Sequence, residues 1–233
     1  DVIAFEALLR WHHPLRGMIA PADFIPIAEE TGLIVEIGEW ALIRACQGAV
    51  KWPDTIRVSV NLSPIQFERG NLYQAVVNAL RISGLAPHRL ELEITEGVLL
   101  RDEINTRAIL HNLRTLGARI ALDDFGTAYA SLSYLRSFPF DKIKIDRSFV
   151  RDLDVGKRKD CEAIIQAVAG LGKQMQISTV AEGIETLDQA QTVTAAGCNE
   201  LQGFYFSHPV PGSDVDKVLA LCRSKLDQRQ YSP

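Results

Sequence analysis

The amino-acid sequence predicts an α/β fold in which parallel strands and helices alternate around a closed barrel. Short apolar runs alternate with stretches of helical periodicity, and polar residues stand at the ends of successive strands. The length of 233 residues, 47% of them hydrophobic, suits one large domain with a sizeable core. We therefore expect a single domain over residues 1–233.

Seven short segments are the predicted strands, because each is rich in Ile, Val, Leu or aromatic residues and only a few residues long. Their repeated alternation with helices implies a parallel sheet. The strand candidates are Val2–Leu9, Ile56–Leu62, Leu90–Thr95, Arg119–Leu122, Lys142–Asp146, Gln176–Val180 and Glu200–Tyr205.

Between the strands lie segments whose apolar residues recur at a helical period. They are Pro21–Glu30, Leu33–Val50, Leu72–Ile82, Ile104–Leu116, Asp160–Leu171, Leu187–Ala196 and Ser213–Leu226. Four glycines are predicted to follow helix ends, where a left-handed residue closes the last turn. They are Gly84, Gly117, Gly172 and Gly197.

Polar residues at the carboxyl ends of consecutive strands favour a barrel over an open sheet. In an open sheet such residues gather at one crevice, whereas in a closed barrel every strand end faces the same mouth. The residues are Asn61, Glu93, Asp123, Asp124, Lys144, Asp146, Glu182 and Gln202.

Composition excludes several classes of protein. The net charge of −4 gives no overall basic footprint for long nucleic acid. No apolar run approaches the ~20 residues of a membrane span, so we expect a cytoplasmic domain, whose parent protein could still be membrane-anchored. The four cysteines lie far apart without a CxxC pair, which predicts free thiols in a reducing compartment.

Carboxylates interrupt two predicted strands that are otherwise apolar. Glu6 lies inside the first strand, where a carboxylate is costly unless it is paired or bound to a metal. Alternation places Glu91 and Glu93 on one face of the third strand, which in a barrel would be the lumen.

Further acids follow two later strands. Asp123 and Asp124 are adjacent, and adjacent side chains on a strand diverge, so one could bridge two ions while the other serves one. Glu182 precedes Gly183, whose missing side chain is expected to leave room for a ligand. Such clusters need compensating cations, and oxygen ligands without His or Cys point to Mg²⁺ or Mn²⁺. Two such ions can activate a water and stabilise the leaving oxygen of a phosphodiester.

Two basic residues complete the predicted chemistry. Alternation places Lys142, Lys144 and Asp146 on one face, and Lys144 could orient an attacking hydroxide; the alternative is a salt bridge from Lys144 to a neighbouring acid. Arg10 could contact a phosphate through two hydrogen bonds; the alternative is an ordinary surface arginine.

An ordered series of motifs runs from residue 1 to about residue 212. It begins with Glu6-Ala7-Leu8, extended by Leu9-Arg10-Trp11 and His13-Pro14. It continues with Asn61-Leu62-Ser63, Glu93-Ile94-Thr95-Glu96, Asp123-Asp124-Phe125-Gly126-Thr127, Lys144-Ile145-Asp146, Ala181-Glu182-Gly183-Ile184-Glu185 and Gln202-Gly203-Phe204. In these motifs the sequence resembles the EAL-domain family of cyclic di-GMP phosphodiesterases.

The resemblance implies a modified TIM-type (β/α)8 barrel that hydrolyses cyclic di-GMP to linear pGpG with two Mg²⁺ or Mn²⁺ ions. Ca²⁺ is expected to inhibit, because it accepts looser coordination and acidifies bound water less. The resemblance also implies that Asp123 bridges to the second ion, joined by Asp124, with Glu182 nearby. Catalytic roles fall to Lys144, Glu182 and Glu6. The residues implied to bind the first metal are Glu6, Asn61, Glu93 and Asp123.

The family pattern also implies residues around the metals. Arg10 and Gln202 would help to hold the substrate, and we place Asp146 and Glu185 with them. Glu96 would brace the loop after Asp124, which in this family is tied to activity and to homodimer formation. The sequence departs from the pattern without losing a metal ligand, at Gly97, Ala128, Ala130 and His208.

Two alternatives to the enzyme are open at this point. One is a cyclic di-GMP receptor without activity, although such members typically lose metal ligands that this chain retains. The other is an enolase-type barrel with paired lysines, in which most acids would follow the lysines rather than precede them.

The first strand of the barrel is expected to be missing from this chain. Seven strand candidates are present where a closed parallel barrel has eight, and the first candidate starts at Val2. We expect about 20 further residues before Asp1 in a larger protein with fused regulatory domains, because an open barrel would leave two sheet edges unpaired. A chain extended at its N-terminus should then melt at a higher temperature and associate less.

Overall fold

The computed structural model describes residues 1–127, 132–154 and 158–230, and the chain divides into two compact units. One unit is Ile3–Arg119, and the other combines Asp1–Val2 with the chain from Ile120 onward. Ala128 and Ala130, two of the positions that depart from the family pattern, lie outside the described residues.

The unit Ile3–Arg119 is built from five strands and six helices. The strands are β1 (Ala4–Ala7), β2 (Trp11–His13), β3 (Gly17–Ile19), β4 (Arg57–Asn61) and β5 (Leu90–Thr95). The helices are α1 (Pro21–Thr31), α2 (Ile34–Ala49), α3 (Pro64–Arg69), α4 (Leu72–Ser83), α5 (Glu96–Leu99) and α6 (Glu103–Leu116). Strand β4 pairs in parallel with β1 and with β5, while β2 and β3 form an antiparallel hairpin.

The described residues of the second unit contain four strands, the first of which begins at Arg119 of the other unit, and five α-helices. The strands are β6 (Arg119–Phe125), β7 (Lys142–Ile145), β8 (Ser178–Ala181) and β9 (Glu200–Leu201), and consecutive strands pair in parallel. The helices are α7 (Leu132–Ser137), α8 (Arg147–Arg151), α9 (Arg158–Met175), α10 (Leu187–Ala195) and α11 (Val215–Gln230). A core that includes Ile145, Ile165, Ala181 and Val193 packs α9 and α10 against β7 and β8.

The predicted α/β class is confirmed in both units, and every predicted strand and helix is present with somewhat different ends. Gly84, Gly117 and Gly197 have positive φ angles of 74°, 106° and 100°, as predicted for residues that follow helix ends. All four cysteines are free thiols, as expected. None of the helices in the described ranges is both long and apolar enough to cross a membrane.

The prediction that Gly172 ends a helix is wrong. Helix α9 continues to Met175, and Gln176 takes the left-handed conformation with φ of 60°. Gly172 instead permits close packing, because a Cβ atom there would lie 2.6 Å from Cγ2 of Thr179 and 2.9 Å from the carbonyl oxygen of Ile177. The glycine therefore marks the contact of α9 with β8 rather than a helix end.

Arg89 is a buried cation that joins the end of α2 to the start of β4. Its Nε donates to the carbonyl oxygen of Ile56 at 2.9 Å, and its Nη2 donates to that of Ala49 at 2.8 Å. Because Arg89→Ala removes a charged donor from the carbonyl oxygens of Ile56 and Ala49, of which Ala49 keeps a bond from the backbone N–H of Trp52 at 3.0 Å, it should lower the free energy of unfolding by about 3 kcal/mol. Urea titration measures this loss.

Asp54→Ala is the matched control for Arg89→Ala. Asp54 also contacts Arg89, at 3.3 Å, but its side chain is fully exposed, and solvent screens such a pair. The Asp54 variant should therefore unfold close to the wild-type midpoint. Equal midpoints for the two variants would contradict a stabilising role for the contacts to the carbonyl groups.

Candidate metal centre and active site

Two neighbouring carboxylates lie at an irregularity near the end of β6. The register with β7 shifts between Leu122 and Phe125, and Asp124 has a left-handed φ of 53°. The backbone N–H of Asp124 donates to Oδ1 of Asp123 at 3.0 Å. A bulge of this kind redirects side chains relative to a regular strand.

Asp123, Asp124 and Glu182 offer carboxylate oxygens that all lie within 4.8 Å of one another. The expectation that the adjacent aspartates diverge is therefore wrong, because it assumed a regular strand, whereas the bulge and the left-handed Asp124 allow both to approach Glu182. The structure brings together three of the predicted metal ligands. Among the described residues they form a group that could hold a metal ion.

Lys144 is the cation at the centre of this cluster. Its side chain is only 2% exposed, and its Nζ lies 3.1 Å from Oδ1 of Asp123 and 2.7 Å from Oε1 of Glu182. The alternative considered for Lys144, a salt bridge to a neighbouring acid, describes its contacts in this structure. The same contacts fix the ammonium group between two predicted metal ligands.

The surroundings of Asp124 disfavour its negative charge when no cation is bound. Burial raises the pKa of Asp124, and the charges of Asp123 and Asp146 raise it further, while Lys144 and Arg147 act in the opposite direction. At Asp124, burial and the two neighbouring carboxylates therefore outweigh the two neighbouring cations. Three carboxylates without His or Cys suit a hard cation such as Mg²⁺ or Mn²⁺.

The other residues on the predicted face of β7 have partners elsewhere. Nζ of buried Lys142 lies 2.8 Å from Oε2 of Glu200, at the opposite end of β7 from Asp146. Oδ1 of Asp146 accepts from the backbone N–H of Ser148 at 3.0 Å and so caps α8. This capping role was missed, although an Asp directly before a helical segment was a usable signal.

The turn after β8 fixes the position of Glu182. The backbone N–H of Glu182 donates to the carbonyl oxygen of Ile145 at 3.2 Å, and Gly183 has a φ of 70°. The expectation that Gly183 leaves room for a ligand is wrong, because a Cβ atom there would lie 2.5 Å from Cβ of Arg147. The missing side chain makes room for α8 instead.

Gln202 and Glu185 lie on two turns that are bonded to each other. Gln202 donates its backbone N–H to Ala181 at 2.9 Å and accepts from Ile184 at 3.0 Å. A Cβ atom on Gly203 would lie 2.1 Å from the carbonyl oxygen of Ile184, so only glycine fits there. Gln202 is half-buried, and Glu185 is exposed at the start of α10.

The unit Ile3–Arg119 carries another group of predicted ligands on adjacent strands. Asn61 and Glu93 are register partners on β4 and β5, and Nδ2 of Asn61 donates to Oε1 of Glu6 on β1 at 2.7 Å. Glu91 on β5 is bonded to Oγ of Ser59 at 2.9 Å, which gives it a structural partner. The structure thus brings Glu6 and Asn61 into contact.

Arg10 and Glu96 have roles that stay predictions. Arg10 is exposed, and its Nη1 donates to the carbonyl oxygen of Leu9 at 2.8 Å. Glu96 is buried at the start of α5. The loop that Glu96 is predicted to brace includes Ala128 and Ala130, for which the structure gives no description.

Parallel strands alternating with helices, and acidic residues grouped after the strand ends, define an α/β protein with a candidate metal centre. Residues 1–209 match the family model of the EAL domain. The chain therefore belongs to the EAL-domain family, and its fold is the TIM-barrel-like fold of that family. Membership in this family sets aside the enolase-type alternative.

Relatives of known sequence agree with this assignment. An uncharacterized protein of Sinorhizobium fredii, y4lL, is 51% identical over 227 residues, which cover 97% of this chain and 27% of the relative. The bifunctional diguanylate cyclase/cyclic di-GMP phosphodiesterase MucR of Pseudomonas aeruginosa is 44% identical, over 92% of this chain and 32% of MucR. The chain thus spans less than a third of the length of either relative.

A solved structure shares the fold. The PaMucR phosphodiesterase in its c-di-GMP complex superposes with a TM-score of 0.87 and 43% sequence identity, and covers 92% of this chain and 88% of that chain.

Proposed function

We propose that this chain hydrolyses cyclic di-GMP to linear pGpG. The observation that carries the proposal is the cluster of Asp123, Asp124 and Glu182 around buried Lys144, in a member of the EAL-domain family. The similarity to MucR supports cyclic di-GMP as the substrate, because that relative is named a bifunctional diguanylate cyclase/cyclic di-GMP phosphodiesterase.

Asp123, Asp124 and Glu182 are the residues that we propose to hold metal, and their donor chemistry fits Mg²⁺ or Mn²⁺. The family pattern assigns Glu6, Asn61 and Glu93 to the same role and the number of ions as two. When bound, such ions supply a water of lowered pKa and stabilise charge on the leaving oxygen of a phosphodiester.

Lys144 is proposed to orient the attacking water. Its ammonium group has three donors, and Asp123 and Glu182 already fix its position. A donor held in this way can keep a water in line with the phosphorus without reorganising during the reaction. Glu6 and Glu182 are proposed to assist as catalytic carboxylates.

Four residues are proposed to hold the substrate. Arg10 is exposed and can contact a phosphate oxygen pair, and Gln202 is fixed by its backbone bonds next to Glu182. Asp146 and Glu185 carry acceptor oxygens that could receive the N–H groups of a guanine base. A homodimer, fused upstream domains and a cytoplasmic location stay predictions.

Incubation with cyclic di-GMP and Mn²⁺, followed by chromatography, tests the proposal. We expect conversion to pGpG. A double variant Asp123→Asn, Asp124→Asn serves as the control, since it removes two carboxylates at little change in volume. Intact nucleotide that co-elutes with the protein would support a receptor instead, and neither product nor bound nucleotide would refute both functions.

A further inference from the structure

An exposed arginine lies beside the acidic cluster at the start of α8. We propose that Arg147 is a substrate-binding residue that contacts an anionic phosphodiester group of the substrate. This inference rests on the proposed function and adds to it a residue outside the predicted substrate-binding set.

The short helix α8 is held between two turns that carry cluster carboxylates. A Cβ atom on Gly183, in the turn after Glu182, would lie 2.5 Å from Cβ of Arg147. A Cβ atom on Gly126, two residues after Asp124, would lie 2.8 Å from Cε2 of Phe149. Such close contacts fix the helix against both turns, so the base of the Arg147 side chain has a defined position next to Glu182.

Arg147 differs from Arg151 and Arg158 of the same unit, each of which contacts a carboxylate. Arg151 lies 3.5 Å from Asp152, and Arg158 lies 2.8 Å from both Glu162 and Asp188. Arg147 takes part in no salt bridge among the described residues, and it is exposed. Its guanidinium group is therefore available to a ligand.

The charge of Arg147 reaches the cluster. It opposes the raised pKa of Asp124, to which burial, Asp123 and Asp146 contribute. Lys144 is also a nearby cation, but it is buried and already held by two carboxylates. An anion approaching this cluster would thus meet Arg147 as an exposed cation beside Glu182, and guanidinium can bind two phosphate oxygens at once.

The test compares Arg147→Ala and Arg147→Lys with Arg151→Ala, an exposed arginine on the same helix. Arg147→Ala should raise the KM for cyclic di-GMP about 10-fold to 100-fold with kcat nearly unchanged, because it removes binding that is equal in substrate and transition state. The KM of Arg147→Lys should lie between those of the wild type and Arg147→Ala, since the charge remains and the paired contact to two phosphate oxygens is lost. Arg151→Ala should match the wild type.

Titration of Mn²⁺ in the absence of nucleotide supplies a second readout. Arg147→Ala should bind Mn²⁺ at least as tightly as the wild type, because it removes a positive charge near Asp124. Weaker Mn²⁺ binding and a lower melting temperature would instead indicate a merely structural role and overturn the inference.

Failure of this inference can be told from failure of the proposed function. If the wild type forms pGpG and Arg147→Ala has an unchanged KM, only the role of Arg147 is refuted. If the wild type binds the nucleotide without cleaving it, calorimetry of the same variants still tests the role of Arg147. The Kd of Arg147→Ala is then expected to rise by the same factor as the KM. If the wild type neither binds nor cleaves it, both proposals are refuted.

Discussion

Lys144→Ala should lower kcat by about 100-fold or more while the affinity for cyclic di-GMP stays nearly intact. The substitution removes the ammonium group that is proposed to orient the attacking water, and it leaves the substrate contacts in place. Steady-state kinetics with Mn²⁺ measures the effect. An increase confined to KM would show that the role assigned to Lys144 is wrong.

The same substitution has a predicted effect on stability. Asp123 and Glu182 would lose the cation between them, which should lower the free energy of unfolding by about 3 kcal/mol without metal. Bound Mn²⁺ should recover part of this loss, because it compensates the same carboxylates.

Lys142→Ala is the matched control, two residues away on β7. Lys142 is also buried, and its Nζ lies 2.8 Å from a carboxylate oxygen of Glu200. We expect a comparable loss of stability but a kcat within about 10-fold of the wild type, because this variant keeps the proposed catalytic group. Equal losses of kcat in the two variants would attribute the effect to folding.

Removal of divalent metal with EDTA should abolish turnover, and Mg²⁺ or Mn²⁺ should restore it. Ca²⁺ should permit binding of the nucleotide but not its cleavage, since it accepts looser coordination and acidifies bound water less. Chromatography for pGpG and calorimetry for binding distinguish the two outcomes. Full activity in EDTA would exclude a metal mechanism.

The pH dependence of metal binding follows from Asp124. Its pKa is raised above the ordinary value of 3.8, so the folded protein binds this proton more tightly than the unfolded chain does. In the metal-free protein, the tighter proton binding by Asp124 stabilises the folded state fully below pH 3.8. This stabilisation is lost as the pH rises through the pKa of Asp124 in the folded state. The rise in melting temperature caused by Mn²⁺ should therefore grow over that range, whereas a Glu182→Gln variant should show a smaller rise throughout.

The strands and most helices were predictable because their signals are local. Leu90, Leu92 and Ile94 are buried in β5, as their alternation with glutamates indicated. The hairpin of β2 and β3 was missed, because its short strands expose most residues and Pro14 interrupts the pattern.

The identities of the site residues were easier to predict than their geometry. The sequence places Asp123 and Asp124 at a strand end, but the bulge there depends on pairing with β7, which no local pattern encodes. The roles of two glycines were also not predictable from local sequence. Gly172 makes room for Thr179 and Gly183 makes room for Arg147, and neither neighbour is adjacent in sequence. Tertiary contacts of this kind override local preferences.

The interlocked turns after β8 and β9 limit how related domains can be recombined. Ile184 accepts from Tyr205 and leaves no space for a side chain on Gly203, while Gln202 is bonded to both Ala181 and Ile184. A chimera that took only one of the two turns from another domain would pack that turn against a turn whose backbone hydrogen bonds and close contacts differ. In chimeras between EAL domains, residues 181–205 should therefore be transplanted as one block, with both turns taken from the same parent.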